Sequence, residues 1–356
     1  MKYVSSIILG LIYFFVCDAF VSAAAPKSAP TATHAQSARP TAISPRVTYE
    51  KVKTLSGYNG DILSLAFSPD GKLMAIGTSE ETVVVWDVAT WQIVKTLVEN
   101  DDDVRAVAFS PDGKYLAAGY NHKRVYLWDT STWDRIARIK TSETVNALSF
   151  NKDGSALAIA QDEDEALVWD IAKKKDRELF GHQGDVKSIS YSPDGLRIAS
   201  GGSDNAVIIW DAQTGGKVKA LTGHTNNVGA IAFSRDGKYL ASGGNDNSII
   251  VWDAQTGNNL NVLTGHKESI CALSFVPGST LLASGDCVIG LGPFAIPIRH
   301  SGDQCKIIFW NIETAKPIMS LEGDCGLSCA AFSPDAKYFV TGHAVGDRFI
   351  TIYEKK

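Results

Sequence analysis

From Thr48 onward the chain copies itself, and this repetition restricts its possible folds more than any other feature. An aromatic residue recurs at Phe67, Phe109, Phe150, Tyr191, Phe233, Phe275 and Phe332, at steps of 42, 41, 41, 42, 42 and 57 residues. A second marker follows each of them: Trp86-Asp87, Trp128-Asp129, Trp169-Asp170, Trp210-Asp211, Trp252-Asp253, Trp310-Asn311 and Tyr353-Glu354. A fixed period of this length means one supersecondary unit that stacks on its own copies to bury a core. Inside each unit the pattern predicts strands. Ile62 to Phe67 and Leu73 to Ile76 flank Ser68-Pro69-Asp70-Gly71, in which Pro presets a turn, Asp bonds its own backbone and Gly accepts positive φ. The turn recurs at Ser110-Pro111-Asp112-Gly113 and Ser192-Pro193-Asp194-Gly195. Third strands such as Thr82-Val83-Val84-Val85 and Ser248-Ile249-Ile250-Val251 are β-branched, as expected of strands buried on both faces.

A period near 42 ending in Trp-Asp is the signature of a four-stranded propeller blade. The expected fold is therefore all-β, a seven-bladed β-propeller of four-stranded antiparallel blades over residues 47–356. The last unit stops at Tyr353-Glu354-Lys355-Lys356 and lacks its fourth strand. Val47 to Thr54 supplies an unassigned strand at the other end. Pairing it with the last blade closes the ring and leaves no bare edge there.

On these markers the chain resembles the WD-repeat proteins over most of its length. That resemblance implies a polar tetrad within a blade: a His ahead of the first strand, a Ser on the second, an Asp in the next turn, and the Trp. Blade four offers His182, Ser200, Asp204 and Trp210; blade five offers His224, Ser242, Asp246 and Trp252. Blade six offers His266, Ser284 and Trp310, with Asp303 displaced by an insertion. Blades one to three depart: Tyr58 stands for His in blade one, Asn100 lies near that place in blade two, and Ile76, Ala118 and Ile159 replace the Ser. The blades with tetrads are expected to be the stiffer half of the ring. The resemblance also implies a protein-binding scaffold that works without catalytic residues.

The ends and the composition bear on location. Lys2, the apolar run Val4 to Val16 and Val21-Ser22-Ala23 read as a secretory signal over residues 1–23. Rival readings are an uncleaved anchor and a lipoprotein acylated at Cys17, which Val16 fits poorly. Residues 24–46, with Pro26, Pro30, Pro40 and Pro45, read as an extended linker. The expected location is secreted or periplasmic, with no stable membrane span after cleavage; the alternative is a membrane-anchored protein. A formal net charge of -5 and no concentrated basic face give no footprint for nucleic acid.

Catalytic motifs are not found. His182, His224 and His266 recur at the repeat period in separate blades, so no cofactor or metal site is expected from them. Gly290-Leu291-Gly292 mimics a dinucleotide fingerprint, but Pro293 and Pro297 forbid the helix it needs. Two features stand apart. Asp61, Asp101-Asp102-Asp103 and Asp162-Glu163-Asp164-Glu165 fall in loops of one face, the top, over blades one to three. They read as solvated loop charge, as a docking sector for a basic protein or peptide, or as a weak Ca²⁺ site. The second is the insertion, about residues 287–303: 26 positions separate Ser284 from Trp310, where ten separate Ser242 from Trp252. It carries Phe294, Ile296 and Ile298 and either contacts a partner or plugs the channel. Cys287 and Cys305 flank it and are expected to bridge; Cys325 and Cys329 pair with each other or with Cys271. The expected function is a non-catalytic, exported recognition module acting through the top face. The alternative is a propeller enzyme, or a small-ligand or calcium binder using the central funnel.

Overall fold

The computed structural model describes residues 48–356 apart from 57, 100–101, 288–304, 324–325 and 345–348. The signal segment and linker lie outside these residues, as do Asp101, Asp303, Phe294, Ile296 and Ile298. Among the described residues, twenty-eight strands form seven four-stranded antiparallel sheets. The blades span residues 62–98, 104–140, 145–180, 186–221, 228–264, 269–323 and 327–355, and each strand hydrogen-bonds its sequence neighbour. Tyr49–Leu55 adds the outer strand of blade seven.

Local chemistry sets each hairpin. In blade one, Ser68 Oγ donates to Asp70 Oδ1 at 2.7 Å, and that carboxylate accepts Lys72 N–H at 3.1 Å. Leu73 N–H donates back to Ser68 Oγ at 2.9 Å. Gly71 takes φ 71° to complete the turn. The Asp of the Trp-Asp pair does similar work at the next turn: Asp87 Oδ1 accepts both N–H and Oγ1–H of Thr90, and Asp211 Oδ1 does the same for Thr214. These hydrogen bonds hold both carboxyls below the ordinary range. Their role is to cap a turn.

Blade-to-blade packing follows from small residues on the second strands. A Cβ on Gly77 would come within 2.6 Å of Val104 Cγ1 in blade two, and one on Gly342 within 2.6 Å of Ile62 Cγ2 in blade one. Each glycine thus seats the first apolar residue of the next inner strand, and Ile62, Val104, Val145, Val186 and Val228 are all fully buried. All seven inner strands carry a bulge just after this residue, as between Ile62 and Ser64 and between Val186 and Ser188, which strengthens the local twist. The inner strand of blade seven, Leu327–Phe332, packs on that of blade one, Ile62–Phe67, so the ring closes.

The N-terminal strand seals it. Tyr49–Leu55 pairs antiparallel with Ile350–Lys355, from Tyr49↔Lys355 to Leu55↔Ile350. Lys356 N–H also donates to Thr48 O at 2.9 Å, and Val47, the first residue of the expected closing segment, lies outside the described residues. Tyr49 is buried; its hydroxyl donates to Ala336 O at 2.8 Å and its ring stacks on Phe309 at 5.4 Å.

Candidate functional site

In blade four a chain of four side chains is fully matched. Trp210 Nε1–H donates to Ser200 Oγ at 2.8 Å. Ser200 Oγ lies 2.7 Å from His182 Nε2, and His182 Nδ1 lies 3.0 Å from Asp204 Oδ1. Asp204 also accepts the N–H groups of Gln183 and Ala206. The arrangement suits a neutral imidazole, with Nδ1–H donating to the carboxylate and Nε2 accepting the serine proton. Burial pushes the His182 pKa down, against the pull of Asp204. The Asp204 carboxyl lies below its ordinary value because the Gln183 amide and His182 offset its own burial. Blade five repeats the arrangement through His224, Ser242, Asp246 and Trp252, at 2.8 Å for both Trp252 to Ser242 and Ser242 to His224. A Cβ at Gly202 would lie 2.6 Å from His182 Nδ1, so the glycine makes the space the imidazole fills.

Blade six supplies a carboxylate that the repeat pattern does not point to, while Asp303 lies outside the described residues. His266 Nε2 meets Ser284 Oγ at 2.6 Å and Trp310 Nε1 donates to Ser284 at 2.7 Å. The carboxylate on His266 Nδ1 is Asp286, at 2.9 Å, in the role assigned above to Asp303. Asp286 stands two residues beyond Ser284, where blade four has Gly202 and blade five has Gly244. In blades four and five a Cβ at that position would lie 2.6 and 2.7 Å from the imidazole Nδ1, so a carboxylate there in blade six reaches His without the turn that the insertion displaces. The same position carries buried Thr78, Tyr120, Gln161 and His343 in blades one, two, three and seven. His343 Nε2 lies 3.0 Å from Thr341 Oγ1 in blade seven, a pair the sequence reading missed. Its signal was a His at the Gly position with Gly323 at the His position. In blades one and three, Ile76 and Ile159 leave the buried Nε1 atoms of Trp86 and Trp169 with no hydrogen-bond partner among the described residues.

The acidic loops divide into two groups. In blade three Lys187 Nζ reaches Asp162 and Asp185, both at 2.8 Å. Asn146 donates to Asp162 and the Glu163 N–H to Asp185. Glu165 accepts from Ser142 and Gln161 at 3.0 Å each, while Asp164 is exposed. This sector is largely bound up inside the protein, chiefly by a lysine of the neighbouring blade. Asp103 differs. Its pKa is raised by burial first and then by the charges of Asp102, Asp61 and Glu80, with Arg105 opposing. Asp102 has φ 108°, contacts His122 at 3.2 Å and accepts the Asp103 N–H. Four carboxylates of blades one and two therefore share one local field.

The side chain of Cys287 and the whole of Cys325 lie outside the described residues, and so do the expected Cys287–Cys305 bridge and the pairings of Cys325. Cys305 packs in the apolar core between blades six and seven beside Phe309 and Leu327, and its Sγ accepts the Gly326 N–H at 3.4 Å. Burial pushes the Cys329 thiol up to about 12, which keeps it protonated and unreactive.

Comparison with known proteins agrees with this architecture. A family model described as the WDR19 first beta-propeller matches residues 106–277, and one described as WD domain, G-beta repeat matches 49–87 and 315–354. Among curated proteins the chain is similar to Protein Mut11 of Chlamydomonas reinhardtii, 41% identical over 46 residues. That stretch is 13% of this chain and 12% of the relative, so the likeness extends to about one blade.

Proposed function

Since the chain belongs to the WD-repeat β-propeller family, we propose that it is an exported, non-catalytic scaffold that holds a basic protein or peptide on the top face over blades one and two. The observation that carries this reading is the grouping of Asp61, Glu80 and Asp102 around Asp103, close enough for their charges to act on it. Like charges held together cost free energy that a cationic partner recovers. The acidic residues of blade three contribute less, because Lys187 already neutralises part of their charge. The recurring histidines His182, His224 and His266 have structural partners in Asp204, Asp246 and Asp286. Export rests on the signal-like residues 1–23 and the linker 24–46.

Cross-linking in the native cell tests the proposal. The recovered protein should begin near Ala24 and carry a basic partner. Joint replacement of Asp61, Asp102 and Asp103 by Asn should release that partner, and so should raised salt. An intact N-terminus rejects export, and an unchanged partner set rejects the acidic sector. A second version lacking Val288 to Ile298 tests the insertion as an additional contact in the same way.

A further inference from the structure

Two departures from the repeat meet at one place. Six blades carry Phe at the end of the inner strand, whereas blade four carries Tyr191. Every outer strand except that of blade three is bulged near the Trp, or near Tyr353 in blade seven, as between Val85 and Trp86 or between Lys51 and Lys53. In blade three the ladder runs without interruption through Val168↔Arg177, Trp169↔Asp176 and Asp170↔Lys175. A cleft of about 620 Å³ opens here between blades three and four, within the ~300–1,000 Å³ range typical of ligand sites.

Its chemistry is that of a carboxylate receptor. Tyr191 lines the cleft and is 8% exposed, and its hydroxyl has no hydrogen-bond partner among the described residues. Burial pushes this phenol up to about 12, so it stays a donor at every physiological pH. Lys175 lies exposed on the rim and makes no ion pair among the described residues. Lys173 is paired with Asp170 at 2.6 Å. Arg177 spends its two terminal nitrogens on the carbonyls of Gln213 and Ala212 in blade four, at 2.5 and 2.6 Å, so it contributes charge to the cleft while holding the wall. Asp170 and Asp176 are also on the lining, and the Asp153 carboxylate acts on the Tyr191 phenol. Lys173 and Arg177 are already engaged, so Lys175 is the cation left for one carboxylate, and the volume exceeds what a lone ion fills.

We propose that this cleft binds an acidic side chain of a peptide, its carboxylate taken by the Tyr191 hydroxyl and the Lys175 ammonium. The cleft is built from the first-to-second and third-to-outer turns, at the opposite strand ends from the acidic loops of blades one and two. It therefore stands independently of the top-face reading.

The test uses the full chain and short, amidated, fluorescently labelled peptides that differ in one residue, Glu or Gln, with anisotropy as the readout. The Glu peptide should bind at least about tenfold more tightly than the Gln peptide, as expected of a charge-assisted hydrogen bond. Tyr191→Phe restores the residue found in the six other blades, so the fold survives; with Lys175→Gln it should weaken Glu-peptide binding about tenfold while unfolding midpoints stay unchanged. The proposal fails if no binding is seen up to about 1 mM, if Glu and Gln peptides bind alike, or if Tyr191→Phe leaves affinity intact. It also fails if inorganic phosphate displaces the labelled peptide as readily as unlabelled Glu peptide does.

Discussion

Trp210 and Trp169 occupy the same place in adjacent blades and solve the same problem differently. The Trp210 indole donates to Ser200, which in turn meets His182; the Trp169 nitrogen is buried against Ile159 with no acceptor among the described residues. Removing one member of a matched set leaves the others unsatisfied, at about 1–3 kcal/mol each, whereas removing an unmatched group loses only packing. Trp210→Phe should therefore destabilise the protein more than Trp169→Phe, by about 1–3 kcal/mol in denaturant unfolding. Equal losses would contradict this hydrogen-bond account. The His, Ser and Trp members were legible because they recur at fixed intervals. Asp286 was not: the Asp is normally reached through a turn, and in blade six that turn is interrupted. Only the packing of Asp286 on His266 shows that a carboxylate at the usual glycine position does the same work.

At the level of the blade, the polar networks add cross-links that the backbone ladder lacks. Blades four to six each tie the loop ahead of the inner strand to the second and third strands. Blades one and three pack apolar side chains at that point. Amide exchange should accordingly be slower in residues 186–211 and 228–253 than in 62–87 and 145–170, since local opening must break the network. Matching protection in the two groups would refute the added stiffness. Neighbouring blades are also joined from the outer strands by a recurring contact: Arg177 to Gln213 O and Ala212 O, Lys219 to Thr256 O at 2.6 Å, and Asn261 to Ile312 O at 2.7 Å. These three residues stand opposite Val168, Ile209 and Val251 in their ladders. Nothing in their identities links Arg, Lys and Asn, so the shared position was hidden until the next blade's turn carbonyls were in view.

The molecule as a whole depends on a contact between residues nearly three hundred positions apart. Tyr49 brings the N-terminal strand onto Ile350–Lys355 and sinks into the aromatic cluster of Phe309, Phe332 and Phe339. Losing this side chain should cost about 3–5 kcal/mol, the usual range for a buried aromatic. Tyr49→Ala should unfold at lower denaturant, and a chain lacking residues 47–55 should regain stability when that peptide is added back. Unaltered unfolding in both would deny the closure.

The repeat by itself determined the number of blades, the turns, the buried third strands, the closing segment and the His, Ser and Trp positions of the tetrads. Each of these is encoded within one period, by residues close in sequence whose partners lie at constant offsets. Tertiary structure alone decided that Asp286 completes blade six, that Cys305 packs in the core between blades six and seven, that Lys187 binds the acidic loop of blade three, and that a cleft opens beside Tyr191. Those outcomes rest on contacts between neighbouring sheets or on departures from the period. Their energies depend on which side chains meet across a gap, and a repeating pattern specifies the gap but not what fills it.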